Sequence, residues 1–429
     1  MKIVHVIPGS GGSFYCGNCL RDSKYFESIK KLGHDALKIP MYLPLFSHDL
    51  NGNPVPVFYG AVSLYLKQSY PVFKHAPKWF DKMLNTKPVL RQAAKMAGST
   101  RAKGLEEMTI SMLLGEHGGQ AEELEEMTRW LEEHYKPDVI HLSNALLLGL
   151  AGKLKKRLGV PVLCSLQDED VWVDVMSDKS REKVWQLMSG HSEDIAAFIS
   201  VSHYFTGLMQ QKMAIPKEKL HTIHLGVDPD DYQYTNSVEK ERSIGYLSRM
   251  CHENGLDILV DAFIQLKSGK EFHDVKLYIS GGSTGDDIAY IKTQKRKIRD
   301  AGISSDVVFL ENFENEHRHI FFERVSLLSV PVRNGEAFGI YLAEAMASGI
   351  PVIQPALGAF PEIVNASEGG MVYSDNTPEK LAEALRTVLT DKKRTADMSL
   401  NARKGVEEKF NIKIQAQKLI EVYKQVQNS

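Results

Sequence analysis

Cysteine is scarce in this chain. Cys16, Cys19, Cys164 and Cys251 are the only four in 429 residues, too few for a disulfide framework in a chain of this size. Cys16-Gly17-Asn18-Cys19 has the spacing of half a zinc site or of a redox pair. No second pair of that kind and no closely spaced histidine pair accompanies it, so it reads as two small side chains in a tight loop. Long hydrophobic runs are missing as well. No stretch approaches the ~18–20 apolar residues that span a bilayer, and the opening run Ile3–Ile7 is too short for the apolar segment of a secretion signal. A cytoplasmic chain is expected, with peripheral contact at a membrane face left open. Charge of one sign is also missing. The 52 basic and 54 acidic residues leave a formal net charge of −2, which argues against general nucleic-acid binding.

What is present is an ordinary globular composition, 43% hydrophobic and 25% charged, in a chain long enough for two domains. Short β-branched runs alternate with helical spacing. Ile3–Ile7 is followed by Pro8-Gly9-Ser10-Gly11-Gly12, then by a helical run over Leu20–Leu32 that ends at Gly33, then by a second strand, Ala36–Ile39. A glycine loop after the first strand of such a unit is where a phosphate or other ligand is admitted, which singles out Gly11 and Gly12. Further strands are expected at Asp138–Leu142, Pro161–Leu166 and Phe198–Val201. The rhythm then repeats at Ser243–Leu247, Val275–Ser280, Val307–Leu310 and Ser326–Pro331. Leu256–Leu266 and Lys380–Leu389 read as helices, and a last helix starts near Ile412. Two successive sets of this kind imply two parallel-sheet α/β domains, with ligands at the C-terminal ends of the strands.

Between Phe58 and Lys103 the character changes. Tyr65, Tyr70, Phe73, Trp79 and Phe80 are interleaved with lysines and arginines, and an acidic stretch with Glu106, Glu107, Glu122 and Glu123 follows. Such a segment can meet a membrane surface, a nucleic acid or an anionic acceptor. The plainer reading is a helical insertion, about 58–135, whose aromatics fill a core and whose lysines are solvated.

The most informative stretch is Pro331–Val364. Glu336 falls in a turn, Ala337-Phe338-Gly339-Ile340 follows, and Glu344 sits about two turns into a helix. The helix N-terminus between the two carboxylates has N–H groups without intrahelical acceptors and a positive dipole end, a ready site for a diphosphate. Carboxylates on either side can accept hydrogen bonds from hydroxyls that flank the phosphates. A nucleotide-sugar presents that order of groups.

This stretch resembles the donor-site signature of the family 4 retaining glycosyltransferases, E-[GA]-F-G-[ILF]-x-x-x-E-A-M-A-x-G-x-P-V. The resemblance implies that Glu336 contacts the transferred sugar, that Glu344 contacts the ribose, and that Ala337, Phe338, Gly339 and Ile340 line the donor. Gly245-Tyr246-Leu247-Ser248-Arg249 resembles the family's G-x-[LF]-x-R-x-x-x-x-K-G, whose arginine holds the diphosphate. Arg249 then takes that role, with Asn254 where the family has lysine. Gly33-His34-Asp35-Ala36 resembles the family's G-H-[DE]-V, and Gly226-Val227-Asp228 its domain junction. His141-Leu142-Ser143 matches only the first position of the family's H-x-H, so His141 is a candidate catalytic residue and equally a satisfied histidine at a strand end. Gln167-Asp168 stands where the family has H-D.

The implied fold is GT-B: two facing Rossmann-like domains, 1–225 and 226–411, with a C-terminal crossover helix, 412–429, that packs back on the first. Metal-independent retaining transfer of a sugar from a nucleotide-sugar is the implied activity. The acceptor would be a carbohydrate, a lipid-linked group or a small molecule, and no cofactor is expected. Asp168-Glu169-Asp170 matches the short D-x-D pattern by which another transferase class binds a metal, a class that lacks the second α/β domain. An epimerase or phosphorylase on the same fold, and a non-catalytic nucleotide-sugar-binding protein, remain the competing readings.

Overall fold

The computed structural model describes residues 1–8, 17–41, 58, 105–310 and 315–428. Gly11, Gly12, Cys16 and the basic and aromatic segment 59–104 lie outside the described residues. The described residues form two compact units. The first holds 1–8, 18–41, 58, 105–223 and 416–428, and the second holds 17, 224–310 and 315–415.

The first unit is built on six parallel strands: β1 (Lys2–Ile7), β2 (Asp35–Pro40), β3 (Val139–Leu142), β4 (Val162–Leu166), β5 (Ala197–Ser200) and β6 (Leu220–Thr222), in the order β2-β1-β3-β4-β5-β6. Strands β3, β4 and β5 are buried along their whole length, as expected of a parallel sheet covered by helices on both faces. The order turns back beside β1, so the ligand crevice of this sheet opens past the C-terminal ends of β1 and β3. The helix Gly17–Lys31 connects β1 to β2.

The second unit repeats the plan with β7 (Ser243–Leu247), β8 (Lys276–Ser280), β9 (Val307–Phe309), β10 (Leu327–Leu328), β11 (Val352–Pro355) and β12 (Gly370–Tyr373), in the order β12-β11-β10-β7-β8-β9. Its crevice lies past the ends of β7 and β10. β7 leads into Ser248-Arg249, and β10 leads into the loop that carries Glu336. The chain order therefore delivers the two motifs, 87 residues apart in sequence by subtraction of their numbers, to one edge of one sheet.

Among the described residues no helix is long and apolar enough to cross a membrane. The last helix, Ile412–Gln427, begins in the second unit, and its residues from Ala416 onward belong to the first.

Candidate functional site: the crest of the second sheet

The loop from Pro331 to Gly339 lies against the loop after β11. Gly335 (φ +74°) and Gly358 (φ +58°) face one another so closely that a Cβ on Gly335 would stand 2.5 Å from the Gly358 nitrogen. The Ala359 amide donates to the Glu336 carbonyl at 2.9 Å. Phe338 anchors the loop from beneath, 2% exposed, with its ring 5.7 Å from that of Phe410 and 6.1 Å from that of His224. Gly339 (φ +83°) turns the chain into the helix Ile340–Ala347. The helix thus starts where the sequence predicts it, with Glu336 in the turn before it and half-buried. Ala337 and Ile340 are buried. What they offer a ligand is backbone at the positive end of a helix.

Arg249 stands on the neighbouring loop. Its Nε donates to Asp287 Oδ2 at 2.8 Å, and its Nη2 donates to Asp287 Oδ1 at 2.9 Å and to Thr284 Oγ1 at 3.1 Å. Burial works against the charge of each group, but the mutual pair outweighs it. Arg249 is held above and Asp287 below its ordinary value. Asp287 also accepts from the Thr284 amide and hydroxyl, completing a capping box. The pair holds the guanidinium in a fixed plane, with a fifth of the side chain still exposed (21%).

Asn254 does not fit its expected place as a second phosphate contact. Its Nδ2 donates to Ser248 Oγ at 2.8 Å and to the Arg249 carbonyl at 3.2 Å, so its amide hydrogens are committed to the loop. It braces the turn under Arg249 and leaves only an acceptor oxygen, which a phosphate does not want.

Glu344 is likewise placed otherwise than an open ribose contact requires. It is fully buried (0%), accepts from the Tyr232 hydroxyl at 2.7 Å and pairs with Arg318 Nε at 3.2 Å, both through Oε1. Burial and then the Glu344 carboxylate push the Tyr232 phenol well up, so it remains a donor. A ribose contact would share the Glu344 carboxylate with Tyr232 and Arg318.

His141 belongs to the other unit. Its Nδ1 meets the Tyr423 hydroxyl at 2.5 Å and its Nε2 meets Ser165 Oγ at 2.8 Å. It is buried, and burial, His5 and Arg21 hold its pKa well below the usual range. Both ring nitrogens are engaged within the fold, which is how a satisfied strand-end histidine looks and not how a group facing a sugar looks.

In the D-x-D run, Glu169 Oε1 accepts from the Ala145 amide and Oε2 from the Gln167 amide, at 2.9 and 2.6 Å. That carboxylate holds two loops together.

Sequence reading missed Asp287, Thr284, Tyr232 and Arg318. Thr284-Gly285-Asp286-Asp287 carried a legible signal, the spacing of a capping box. Tyr232 and Arg318 carried none.

Two family sequence models match the chain. The one described as Glycosyl transferases group 1 matches residues 228–405, and the one described as Glycosyltransferase Family 4 matches 114–231. A GDP-mannose-dependent α-(1-6)-phosphatidylinositol monomannoside mannosyltransferase of Mycolicibacterium smegmatis is 23% identical over 376 residues, 82% of this chain and 91% of that one. A lipopolysaccharide core biosynthesis mannosyltransferase of Rhizobium meliloti is 28% identical over 203 residues, 46% of this chain; the match spans about half of that relative, 53% of its length. Among solved structures, sucrose-phosphate synthase from Thermosynechococcus elongatus superposes with a TM-score of 0.71 at 17% identity, covering 99% of each chain. The Anabaena protein HepE in complex with UDP superposes with a TM-score of 0.69 at 17% identity, covering 99% of this chain and 100% of its own. At these identities the structural likeness establishes the fold, which is GT-B.

Proposed function

Because the chain belongs to the group 1, family 4 glycosyltransferases, we propose that it moves a sugar, with retention at the anomeric carbon and without a divalent metal, from a nucleotide-sugar held on the second unit to a hydroxyl of an acceptor. The observation that carries this reading is the junction Gly335–Ile340. It puts a half-buried carboxylate, Glu336, one turn ahead of a helix N-terminus, beside the loop that carries Arg249.

In retaining transfer the enzyme must meet the charge of a departing nucleoside diphosphate and steady a sugar cation that develops as it leaves. The helix N-terminus and Arg249 are suited to the first task. Glu336 is suited to the second, because its carboxylate precedes the helix N-terminus that would hold the phosphates. Asp287 positions Arg249 and touches no ligand. Glu344 acts on the ribose directly or through Arg318, with which it is paired. The GDP-mannose in the name of one relative and the UDP bound in one structural neighbour make GDP-mannose and UDP-sugars the first donors to try.

The test is release of nucleoside diphosphate from each donor, with EDTA present throughout. Hydrolysis that survives chelation and is lost in Glu336→Ala and Arg249→Ala is the expected result. A protein that binds the donor and never turns it over is a binding protein instead. Activity abolished by EDTA and restored by manganese would overturn the metal-independent mechanism.

A further inference from the structure

The loop that carries Glu336 and the loop that carries Arg249 are fastened to one another inside the second unit, and one residue supplies three of the bonds. The Arg333 amide donates to the Glu253 carbonyl at 3.0 Å. Its Nε donates to the His252 carbonyl at 3.0 Å, and its Nη2 donates to Asp257 Oδ2 at 2.5 Å. By their numbers Arg333 stands three residues before Glu336, and His252 three residues after Arg249. The bonds therefore run from the neighbourhood of one candidate ligand contact to that of the other.

The stretch 248–255 is turn and irregular backbone, so its place is set by what touches its two flanks. One flank rests on the loop after β8, where the Met250 amide donates to the Gly282 carbonyl at 3.0 Å. Asp287 and Thr284 hold the Arg249 guanidinium from that side. The other flank is the turn His252–Gly255, closed by the Gly255 amide donating to the His252 carbonyl at 3.1 Å. This turn lies against Pro331. A Cβ on Gly255 (φ +71°) would stand 2.0 Å from the Pro331 carbonyl oxygen. Arg333 reaches across that contact.

Both ends of the link are anchored. Asn376 Nδ2 donates to the Pro331 and Val332 carbonyls at 3.2 and 3.1 Å, which pins the Glu336 loop from its far side. Asp257 Oδ1 accepts from the Tyr290 hydroxyl at 2.8 Å, and the same hydroxyl oxygen accepts from the Asp257 amide at 2.9 Å. A third of the Arg333 side chain and a fifth of that of Asp257 remain exposed (33% and 20%). An ion pair so placed contributes little to stability. Its use is geometric, because a planar guanidinium that donates through two nitrogens to two acceptors fixes a direction as well as a distance.

We propose that Arg333 is a positioning residue for sugar transfer, which sets the spacing between Arg249 at the diphosphate and Glu336 at the sugar and touches neither part of the donor. This rests on the reading of the second unit as the donor site.

The test uses the full-length protein and three nucleotide pairs, UDP and UMP, GDP and GMP, and ADP and AMP. Calorimetry identifies the pair that the parent binds. In Arg333→Ala the diphosphate should bind about tenfold more weakly, while the monophosphate stays within about twofold of its parent affinity. The kcat of donor hydrolysis should fall by about tenfold or more, since a displacement of about 1 Å can cost on the order of 100-fold. The melting temperature should stay within about 2 °C of the parent. Arg333→Lys keeps a charge beside Asp257 but cannot hold both acceptors, and should fall between the parent and the alanine variant. Asp257→Ala should lower kcat, and adding it to Arg333→Ala should cost little more, because the two side chains act as one link. Equal loss of diphosphate and monophosphate affinity with a lowered melting temperature would make Arg333 a support of the fold and overturn the proposal. Parent values of kcat and of both affinities would overturn it as well. If Arg333→Ala does not fold, Arg333→Lys decides alone, and parent values there overturn the proposal. If the diphosphate loss appears but the parent never turns over a nucleotide-sugar, the link to Arg249 stands and the transferase reading falls. If the parent binds none of the three diphosphates, both fall.

Discussion

Glu344 shows how one buried contact changes what a substitution should do. The carboxylate is shut from solvent and faces a phenol and a guanidinium that keep only a little exposure, 7% and 12%. Glu344→Ala would break a largely buried ion pair by removing one partner, a loss of up to about 3–5 kcal/mol. Glu344→Gln keeps the shape and an acceptor for Tyr232. The alanine variant should therefore melt far lower than the glutamine variant in a thermal scan, while both lose nucleoside diphosphate affinity. If both melt like the parent, the pairing with Arg318 does not exist in solution. The buried histidines give a second consequence at this scale. Burial, then Lys38 and Arg21, bring His5 down from 6.5 to about 3. An unfolded chain takes up that proton below about pH 6.5, and the folded chain does not until about pH 3. Stability should then fall as pH drops through this window, by about 2 kcal/mol at pH 5 from His5 alone. His141 shifts in the same direction and adds to it. His5→Phe should flatten the acid limb of a urea-denaturation series, and an unchanged slope would mean that His5 protonates freely in the native state.

At the scale of elements, the donor loop depends on two backbones approaching without a Cβ between them. Gly335→Ala forces an L side chain into left-handed backbone, at about 1–2 kcal/mol, and drives its Cβ against the Gly358 nitrogen. The loop must move, and the helix N-terminus with it. Calorimetry should show nucleoside diphosphate affinity down by about tenfold or more, with circular dichroism unchanged. Full affinity would mean that the ligand does not use this junction. Legibility in sequence follows the same physics. Ser243–Leu247 and the start of the helix at Ile412 were readable because a fully buried strand and an amphipathic helix impose continuous or periodic apolar runs. β12 was missed, since three of its four residues are only partly buried. The helix Lys392–Lys409 was missed because its buried face is made of Thr395, Ser399, Ala402 and Gly405 beside Met398 and Val406, small or polar residues that give no hydrophobic period. The order of Glu336, Gly339 and Glu344 was legible because those residues are local to one turn and helix. The roles of Asp287, 38 residues from Arg249, and of Tyr232, 112 residues from Glu344, were set by strand order, which no local pattern encodes.

At the scale of the whole chain, the last helix raises the question of which unit needs which residues. Ala416–Gln427 belongs to the first unit, and Tyr423 is fully buried there with its hydroxyl between His141 and His5. The second unit closes itself just upstream. The Ile412 amide donates to the Val227 carbonyl at 3.0 Å, the Val227 amide to the Phe410 carbonyl at 3.0 Å, and Lys413 pairs with Asp228 and Asp230. A chain cut after Gln415 therefore removes a buried tyrosine and several apolar neighbours from one unit, a loss of at least about 3–5 kcal/mol, while leaving the donor unit its own contacts. Hydrogen exchange read by mass spectrometry should show β1, β3 and β4 deprotected and β7, β8 and β11 still protected. Calorimetry should show nucleoside diphosphate binding retained. Loss of protection in both sheets together, with loss of nucleotide binding, would show that the donor unit does not stand on its own contacts and that the chain folds as one cooperative body.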